Sequence, residues 1–217
     1  FRMWDKGVWY QRTFELPKML KNERIVLRFN SVSYRGEAFL NGKRLEEHET
    51  GYTPFEFDIT DVVDFEKENR LCVRVENILS TDTVPMGNLN NDPEPGQFAG
   101  QYPDTPFDFF PYAGIQRPVM IYTTSKTAWL DSVVVETEID GTVTLRGKVS
   151  GSAAEAVFQC LDTSVEATIE NGEFTASFKI DDVKLWDVWQ PNLYNVAIKI
   201  QDDGEVLDEY TQRFGDR

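Results

Sequence analysis

Asp108 is the residue whose neighbours best suit it for chemistry. It is the only acid in segment 106–117, PFDFFPYAGIQR, which also holds four aromatic residues: Phe107, Phe109, Phe110 and Tyr112. A pyranose has a C–H face that an aromatic ring can cover, and vicinal hydroxyl groups that can donate to one carboxylate. The segment therefore suits a sugar. Residue types alone leave a second interpretation equally open, in which the rings fill a core and Asp108 caps a turn.

The segment that must hold Asp108 in place is an irregular connection between strands. Seven of the ten prolines lie between Pro85 and Pro118, mixed with asparagine and glycine. An irregular stretch this long is uncommon inside a compact domain unless it is functional or disordered, and its six aromatic residues argue against disorder. We expect residues 79–117 to form an ordered loop that crosses one end of a β-sandwich. It then turns through Gly114 into a strand at 118–124.

A period of two dominates the rest of the chain and predicts an all-β fold. Residues 24–29, 71–75 and 142–149 are typical of strands with one or both faces apolar, and no amphipathic helix of useful length is found. Asn41-Gly42 predicts a type I′ hairpin, and Asn171-Gly172 and Asp203-Gly204 repeat that pattern. After the polar joint 125–127, seven strand-like runs at regular spacing are typical of an immunoglobulin-like sandwich. We therefore predict two domains, 1–124 and 125–217.

Composition restricts the class of partner and of site. The 217 residues include 22 basic and 37 acidic side chains, and the net charge of -15 opposes binding to nucleic acid or an anionic membrane. Cys72 and Cys160 are expected to be buried free thiols in different domains. His48 is the only histidine, which excludes a multi-histidine metal site, and we expect it in a polar loop. We expect no metal and no cofactor.

Several motifs, in order along the chain, carry a resemblance to a known family. Residues 108–117, DFFPYAGIQR, resemble the D-F-F-x-Y-A-G-[IL]-x-R segment of β-glucuronidases in glycoside hydrolase family 2. Five further segments are similar to motifs of that family: VWYQR at 8–12, AFLNG at 38–42, HETGYTPF at 48–55, LW at 185–186 with PNLY at 191–194, and FGDR at 214–217. Together these motifs extend over nearly the whole chain.

The resemblance implies a jelly-roll sugar-binding domain followed by an immunoglobulin-like domain, both placed before a (β/α)8 catalytic barrel. Such a barrel needs about 250 residues of alternating strand and helix, a pattern that this sequence lacks. The family's two catalytic glutamates lie in that barrel, so we expect no catalytic residue in this chain. The start at Phe1 also suggests that the first domain is trimmed. We therefore expect an inactive N-terminal fragment of a retaining β-glycosidase.

The resemblance implies that Asp108 binds the substrate. In relatives the matching aspartate extends into the active site of the barrel and accepts a hydrogen bond from a hydroxyl of the terminal sugar. We expect Phe109, Phe110, Tyr112, Gly114 and Arg117 to support the loop. In this interpretation Gly114 supplies a positive φ and Arg117 pairs with a nearby acid.

Three functions remain open at the level of sequence. The first is the non-catalytic N-terminal part of a retaining β-glycosidase. Its expected partners are a β-glycoside, either a glucuronide or a galactoside, and the barrel, in a parent that forms a homo-oligomer. A stand-alone carbohydrate-binding module is the second. The third is a structural pair of β domains that binds no ligand.

Overall fold

The computed structural model describes residues 7–78, 82–84 and 113–216. The chain divides into two compact units, Phe1–Thr123 and Thr124–Arg217. The described residues contain sixteen β-strands and one short 3-10 helix, Lys18–Asn22, and no α-helix. The predicted all-β class is confirmed. Among these residues no helix is long and apolar enough to cross a membrane.

The first unit is a β-sandwich of two main sheets and a short ladder. Its strands are β1 (Val8–Phe14), β2 (Arg24–Phe29), β3 (Val32–Ser33), β4 (Arg35–Leu40), β5 (Lys43–Glu49), β6 (Phe55–Asp58), β7 (Asn69–Glu76), β8 (Gly114–Ile115) and β9 (Val119–Thr124). One sheet has the order β1-β7-β4-β5, the other β6-β2-β9, and β3 pairs with β8. Alternate residues of β7 and β4, including Val73, Val75 and Leu40, pack against Leu27 and Phe29 of β2 to form its core.

The second unit has the seven strands that the sequence predicts. They are β10 (Ala128–Thr137), β11 (Thr142–Gly151), β12 (Glu155–Cys160), β13 (Thr163–Thr168), β14 (Glu173–Lys179), β15 (Tyr194–Asp202) and β16 (Glu205–Phe214). They form a three-stranded sheet, β10-β11-β14, and a four-stranded sheet, β13-β12-β15-β16. Leu145, Phe158, Phe174 and Ile198 meet in a core separate from that of the first unit.

Turn chemistry fixes the hairpins of both units. Asn41 and Gly42 have φ of 53° and 83°, the two positive values that a type I′ turn requires. Asn171-Gly172 (54° and 76°) and Asp203-Gly204 (46° and 79°) have the same geometry. The hairpin prediction at Asn41-Gly42, and its repeats, are confirmed.

Candidate functional site

Of the predicted sugar-binding loop, 79–117, the structure describes residues 82–84 and the last five residues, from Ala113 onwards. There β8 pairs antiparallel with β3, with Val32 opposite Ile115 and Ser33 opposite Gly114. The amide of Gln116 donates to the carbonyl oxygen of Ser31 at 3.2 Å. These bonds fix the start of β8, which follows the segment that contains Asp108.

Gly114 occupies a position that no other residue type would fill without strain. Its φ is 93°, and a Cβ atom built on its backbone would lie 2.5 Å from the hydroxyl oxygen of Tyr10. A positive φ is unfavourable for a residue with a Cβ, and here the phenol also fills the space. The predicted positive φ is confirmed; the support that Gly114 gives to the loop stays a prediction.

Main-chain and hydroxyl hydrogen bonds tie the segment after β5 to the same end of the unit. Ser31 is fully buried, and its Oγ donates to the carbonyl oxygen of Gly51 at 2.8 Å. The amide of Thr50 donates to the carbonyl oxygen of Tyr34 at 3.2 Å. The family-like run 48–55 therefore packs beside β3, and β3 in turn holds the loop return.

His48 is a packing residue, and its predicted place in a polar loop is wrong. It lies on β5, and its ring stacks on Phe55 with centroids 4.2 Å apart and planes at 19°. Its Nε2 is 2.8 Å from the hydroxyl of Thr50, and burial lowers the pKa of the imidazole. Glu47 and Glu49 flank His48 along β5, as the sequence shows. Nothing in the sequence indicates that Phe55 covers the imidazole ring.

Tyr10 contributes to the fixed position of Gly114, a role that sequence reasoning missed. Alternation along β1 places it on the same face as Val73, its partner across the ladder. Nothing in the local sequence reveals that its hydroxyl lies against Gly114, because the two residues are far apart in the chain. The VWYQR motif that contains Tyr10 was the available signal.

The remaining predicted site residues divide into two groups. Asp108, Phe109, Phe110 and Tyr112 lie outside the described residues, so their roles stay predictions. Arg117 is exposed, and none of the acids in the described ranges forms an ion pair with it. The acid that the sequence analysis expected beside Arg117 is therefore not among those residues.

The described residues offer little to a metal or to thiol chemistry. Within ranges 7–78, 82–84 and 113–216, no group of three or more histidine, cysteine or acidic side chains could hold an ion. Both cysteines are free thiols. Cys160 is buried, and burial raises the pKa of its thiol. Cys72 is only half-buried, because it points to the outer face of its sheet beside Gln11, so its predicted burial is wrong in degree.

Comparison with protein families identifies both halves of the chain. Residues 2–125 match the model described as glycosyl hydrolases family 2, sugar binding domain, and residues 115–217 match the model described as glycosyl hydrolases family 2. The chain belongs to glycosyl hydrolase family 2. The predicted resemblance, with a sugar-binding domain ahead of an immunoglobulin-like domain, is confirmed.

Relatives of this family 2 chain include β-glucuronidases of bacteria and mammals. The chain is 28% identical to the β-glucuronidase of Paenibacillus borealis and 30% identical to that of Mus musculus, over 97% of its own length in both cases. It spans only 36% and 35% of those relatives.

Solved structures show the same partial overlap. The β-glucuronidase of Bifidobacterium dentium, complexed with coumarin-3-O-glucuronide, superposes with a TM-score of 0.86 at 27% identity. That of Ruminococcus gnavus, in complex with D-glucuronic acid, gives 0.78 at 29% identity. The family 2 chain covers 39% and 37% of these two proteins.

Proposed function

We propose that this chain is the non-catalytic N-terminal part of a retaining β-glycosidase similar to β-glucuronidases. The observation that carries the proposal is the alignment of 97% of the chain with β-glucuronidases of which it spans about a third. In such an enzyme two carboxyl groups about 5–5.5 Å apart would break the glycosidic bond, and a (β/α)8 barrel would supply them. The domains proposed for this chain, 1–124 and 125–217, would shape the rim of the pocket. The parent enzyme would be a homo-oligomer.

Asp108 is the residue we propose to position the sugar. A carboxylate accepts strongly from two adjacent hydroxyl groups, and such bonds are charge-assisted. Phe109, Phe110 and Tyr112 would hold the loop by packing. Arg117 and Gly114 would fix its return, a role that agrees with the β3–β8 ladder and with the contact between Gly114 and Tyr10.

The proposed substrate is a β-glycoside, with a glucuronide as the first choice and a galactoside as the alternative. Two of the similar solved proteins were studied with a glucuronide or with glucuronic acid. The charge of -15 would repel an anionic sugar at long range. Recognition of a glucuronide carboxylate would therefore depend on local cationic groups of the barrel.

The test uses the enzyme in which these domains precede a barrel. Loss of a hydrogen bond to a charged group predicts that Asp108→Ala lowers kcat/KM for 4-nitrophenyl β-D-glucuronide about 50-fold. Asp104→Ala, which removes an acid four residues earlier in the predicted loop 79–117, is the matched control and should leave kcat/KM nearly unchanged. The 217-residue chain alone should not hydrolyse this substrate. Normal turnover by the Asp108→Ala enzyme would refute the positioning role.

A stand-alone carbohydrate-binding module is the second candidate, favoured by the sugar-binding description of the family model that matches residues 2–125. It predicts that the 217-residue chain binds a glycan saturably and that Asp108→Ala removes the binding. An isothermal titration without heat at millimolar glucuronide or galactoside would exclude this candidate for those sugars, and it would leave the first proposal intact.

A further inference from the structure

The connection between β5 and β6, residues 50–54, is anchored to the core at both ends; we call it the Tyr52 turn. His48 of β5 and Phe55, the first residue of β6, stack on each other with ring centroids 4.2 Å apart. Phe55 stacks in turn on the fully buried Phe29, with centroids 5.0 Å apart and planes at 10°. Such ring pairs favour one geometry, so the ends of the turn are held by the core.

Hydrogen bonds within and below the Tyr52 turn use most of its polar groups. The amide of Thr50 and the carbonyl oxygen of Gly51 bond to the segment around β3. The hydroxyl groups of Thr50 and Thr53 bond to each other, and Nε2 of His48 lies 2.8 Å from the Thr50 hydroxyl. These groups are therefore engaged in holding the turn and are not available to a ligand.

Tyr52 is the side chain that the turn displays. It is 40% exposed, whereas Gly51 before it is buried. Within ranges 7–78, 82–84 and 113–216, no residue hydrogen-bonds to its phenol or stacks on its ring. An aromatic ring on a backbone that is already ordered can cover a flat apolar group at a small cost in conformational entropy.

Ser31 joins the Tyr52 turn to the return of the predicted sugar-binding loop. Its side chain is fully buried, and its Oγ donates to the carbonyl oxygen of Gly51 at 2.8 Å. Its own carbonyl oxygen accepts from the amide of Gln116 at 3.2 Å. Gln116 follows β8, which itself follows the segment that contains Asp108. The turn and the loop return therefore meet at one buried residue.

We propose that Tyr52 is a specificity-determining residue that covers the leaving group of the β-glycoside, and that Ser31 positions it. The proposal rests on the function proposed above for the chain. Recognition of a terminal sugar requires free donors and acceptors matched to each hydroxyl group, and the polar groups of the Tyr52 turn are largely engaged. A ring face instead selects a flat apolar surface, which is a property of an aromatic leaving group.

The test compares two substrates that share a sugar and differ in the leaving group, in the enzyme in which these domains precede a barrel. They are 4-methylumbelliferyl β-D-glucuronide, whose leaving group is flat and aromatic, and methyl β-D-glucuronide. Loss of one ring contact predicts that Tyr52→Ala lowers kcat/KM about ten-fold for the first substrate and leaves it nearly unchanged for the second. Tyr52→Phe keeps the ring and should retain both activities.

A matched control separates this effect from the loss of any exposed tyrosine. Tyr210 is 48% exposed and lies in the other unit. Tyr210→Ala should leave kcat/KM unchanged for both substrates. Circular dichroism checks that each variant is folded, and Tyr52→Phe tests the proposal even if Tyr52→Ala fails to fold, because loss of the aromatic preference in Tyr52→Phe would contradict a role for the ring.

A double-mutant cycle tests the positioning role of Ser31. Ser31→Ala should lower kcat/KM for the methylumbelliferyl substrate about three-fold, and it should have no further effect in the Tyr52→Ala background, because it acts through that ring. Ser177→Ala is the control. It removes a similar bond in the other unit, from the Ser177 hydroxyl to the carbonyl oxygen of Val143 at 3.2 Å, and should change neither activity.

Four results would overturn the proposal. Equal losses for both substrates in Tyr52→Ala would exclude a role at the leaving group, and no loss for either would exclude any contact with substrate. A Ser31→Ala loss that persists in the Tyr52→Ala background would refute the positioning role. If Asp108→Ala impairs turnover and Tyr52→Ala does not, only the present inference fails; if the unaltered enzyme hydrolyses neither glucuronide nor the matching galactosides, the proposed function fails with it.

Discussion

Gly114 and Gly42 are a matched pair that separates backbone strain from steric conflict. Both have positive φ, 93° and 83°, but a Cβ on Gly114 would meet the Tyr10 hydroxyl whereas nothing lies within 4 Å of one on Gly42. Gly42→Ala should destabilise the chain by about 1 kcal/mol, from the left-handed conformation alone. Gly114→Ala should add the cost of overpacking and total about 3 kcal/mol.

Urea denaturation of both variants measures this difference, and Tyr10→Phe supplies the control. If the phenol hydroxyl causes the additional loss, Tyr10→Phe combined with Gly114→Ala should be less destabilised than Gly114→Ala alone. Equal free energies of unfolding for Gly42→Ala and Gly114→Ala would show that the contact with Tyr10 has no energetic consequence.

Asp216 is a buried carboxylate whose charge the fold does not compensate. Its side chain is fully buried, and neither carboxyl oxygen has a hydrogen-bond partner in the described residues. Burial, followed by the nearby charge of Asp140, raises the pKa of Asp216 above its ordinary value of 3.8. Because the folded state then holds the proton more tightly than the unfolded state, stability falls as pH rises from about 4 through the raised pKa.

Asp216→Asn should therefore stabilise the chain at pH 7, by about 1 kcal/mol, and lose this advantage in acid. Thermal unfolding of both proteins across pH measures the effect. Asp203→Asn, in an exposed turn, is the matched control for the loss of one carboxylate. A stability gain of Asp216→Asn that is the same at every pH would contradict the titration.

Single residues also show where sequence reasoning stops. The positive φ of Gly114 followed from its place between an irregular segment and a strand. The contact of Gly114 with Tyr10, and the ring that covers His48, depend on which distant strands become neighbours. Local patterns carry no information about those pairings.

At the scale of elements, Tyr122 links the outer face of β9 to β6 across β2. Its hydroxyl donates to a carboxylate oxygen of Glu56 at 2.8 Å, and Arg28 of β2 pairs with the same carboxylate. Burial, and then the bond to Glu56, raises the pKa of Tyr122 to about 12. The neutral phenol is thus favoured in the folded state, and its contribution to stability is lost as pH rises from about 10 to 12.

Tyr122→Phe should be less stable than the natural chain below pH 10, and the difference should shrink between pH 10 and 12. Difference absorbance near 295 nm should show one tyrosine that titrates late in the natural chain and is absent from the variant. Tyr210→Phe, at an exposed tyrosine of β16, is the control for the loss of one phenol. A late transition that persists in Tyr122→Phe would show that it belongs to another tyrosine.

Long strands and tight turns were predictable from sequence, and the shortest elements were not. Period-two patterns placed β2 at its observed bounds, and the Asn-Gly and Asp-Gly pairs gave their hairpins, because both signals are local. The ladder of β3 and β8 has two residues on each side, too few for any period. That ladder fixes the loop return, so the least predictable pairing lies nearest the candidate site.

At the scale of the whole molecule, the excess of acidic side chains governs solubility. The isoelectric point is about 4.5, and proteins associate most readily where net charge vanishes. Light scattering should rise sharply near pH 4.5 and be absent at pH 7, where the charge is -15. A scattering maximum well away from pH 4.5 would indicate that one surface, rather than net charge, controls association.

The division into two units was predictable because each sandwich has its own series of strand patterns. The sequence predicts a domain boundary between residues 124 and 125, and the two compact units of the structure meet between residues 123 and 124. The exposure of Tyr10 and Val119, 39% and 37%, was not predictable, because both residues have the positions of ordinary members of alternating strands.

The Asn-Gly turns determine where this protein deamidates on storage. An asparagine followed by glycine can cyclise to a succinimide when its side-chain carbonyl carbon reaches the next amide nitrogen. Asn41 is restrained, since its Nδ2 donates to Asn69 at 2.8 Å and its Oδ1 accepts from the amide of Arg70 at 2.9 Å. No such bond restrains the Asn171 side chain within the described residues. In stored protein, peptide mapping should find isoaspartate first at Asn171 and only later at Asn41.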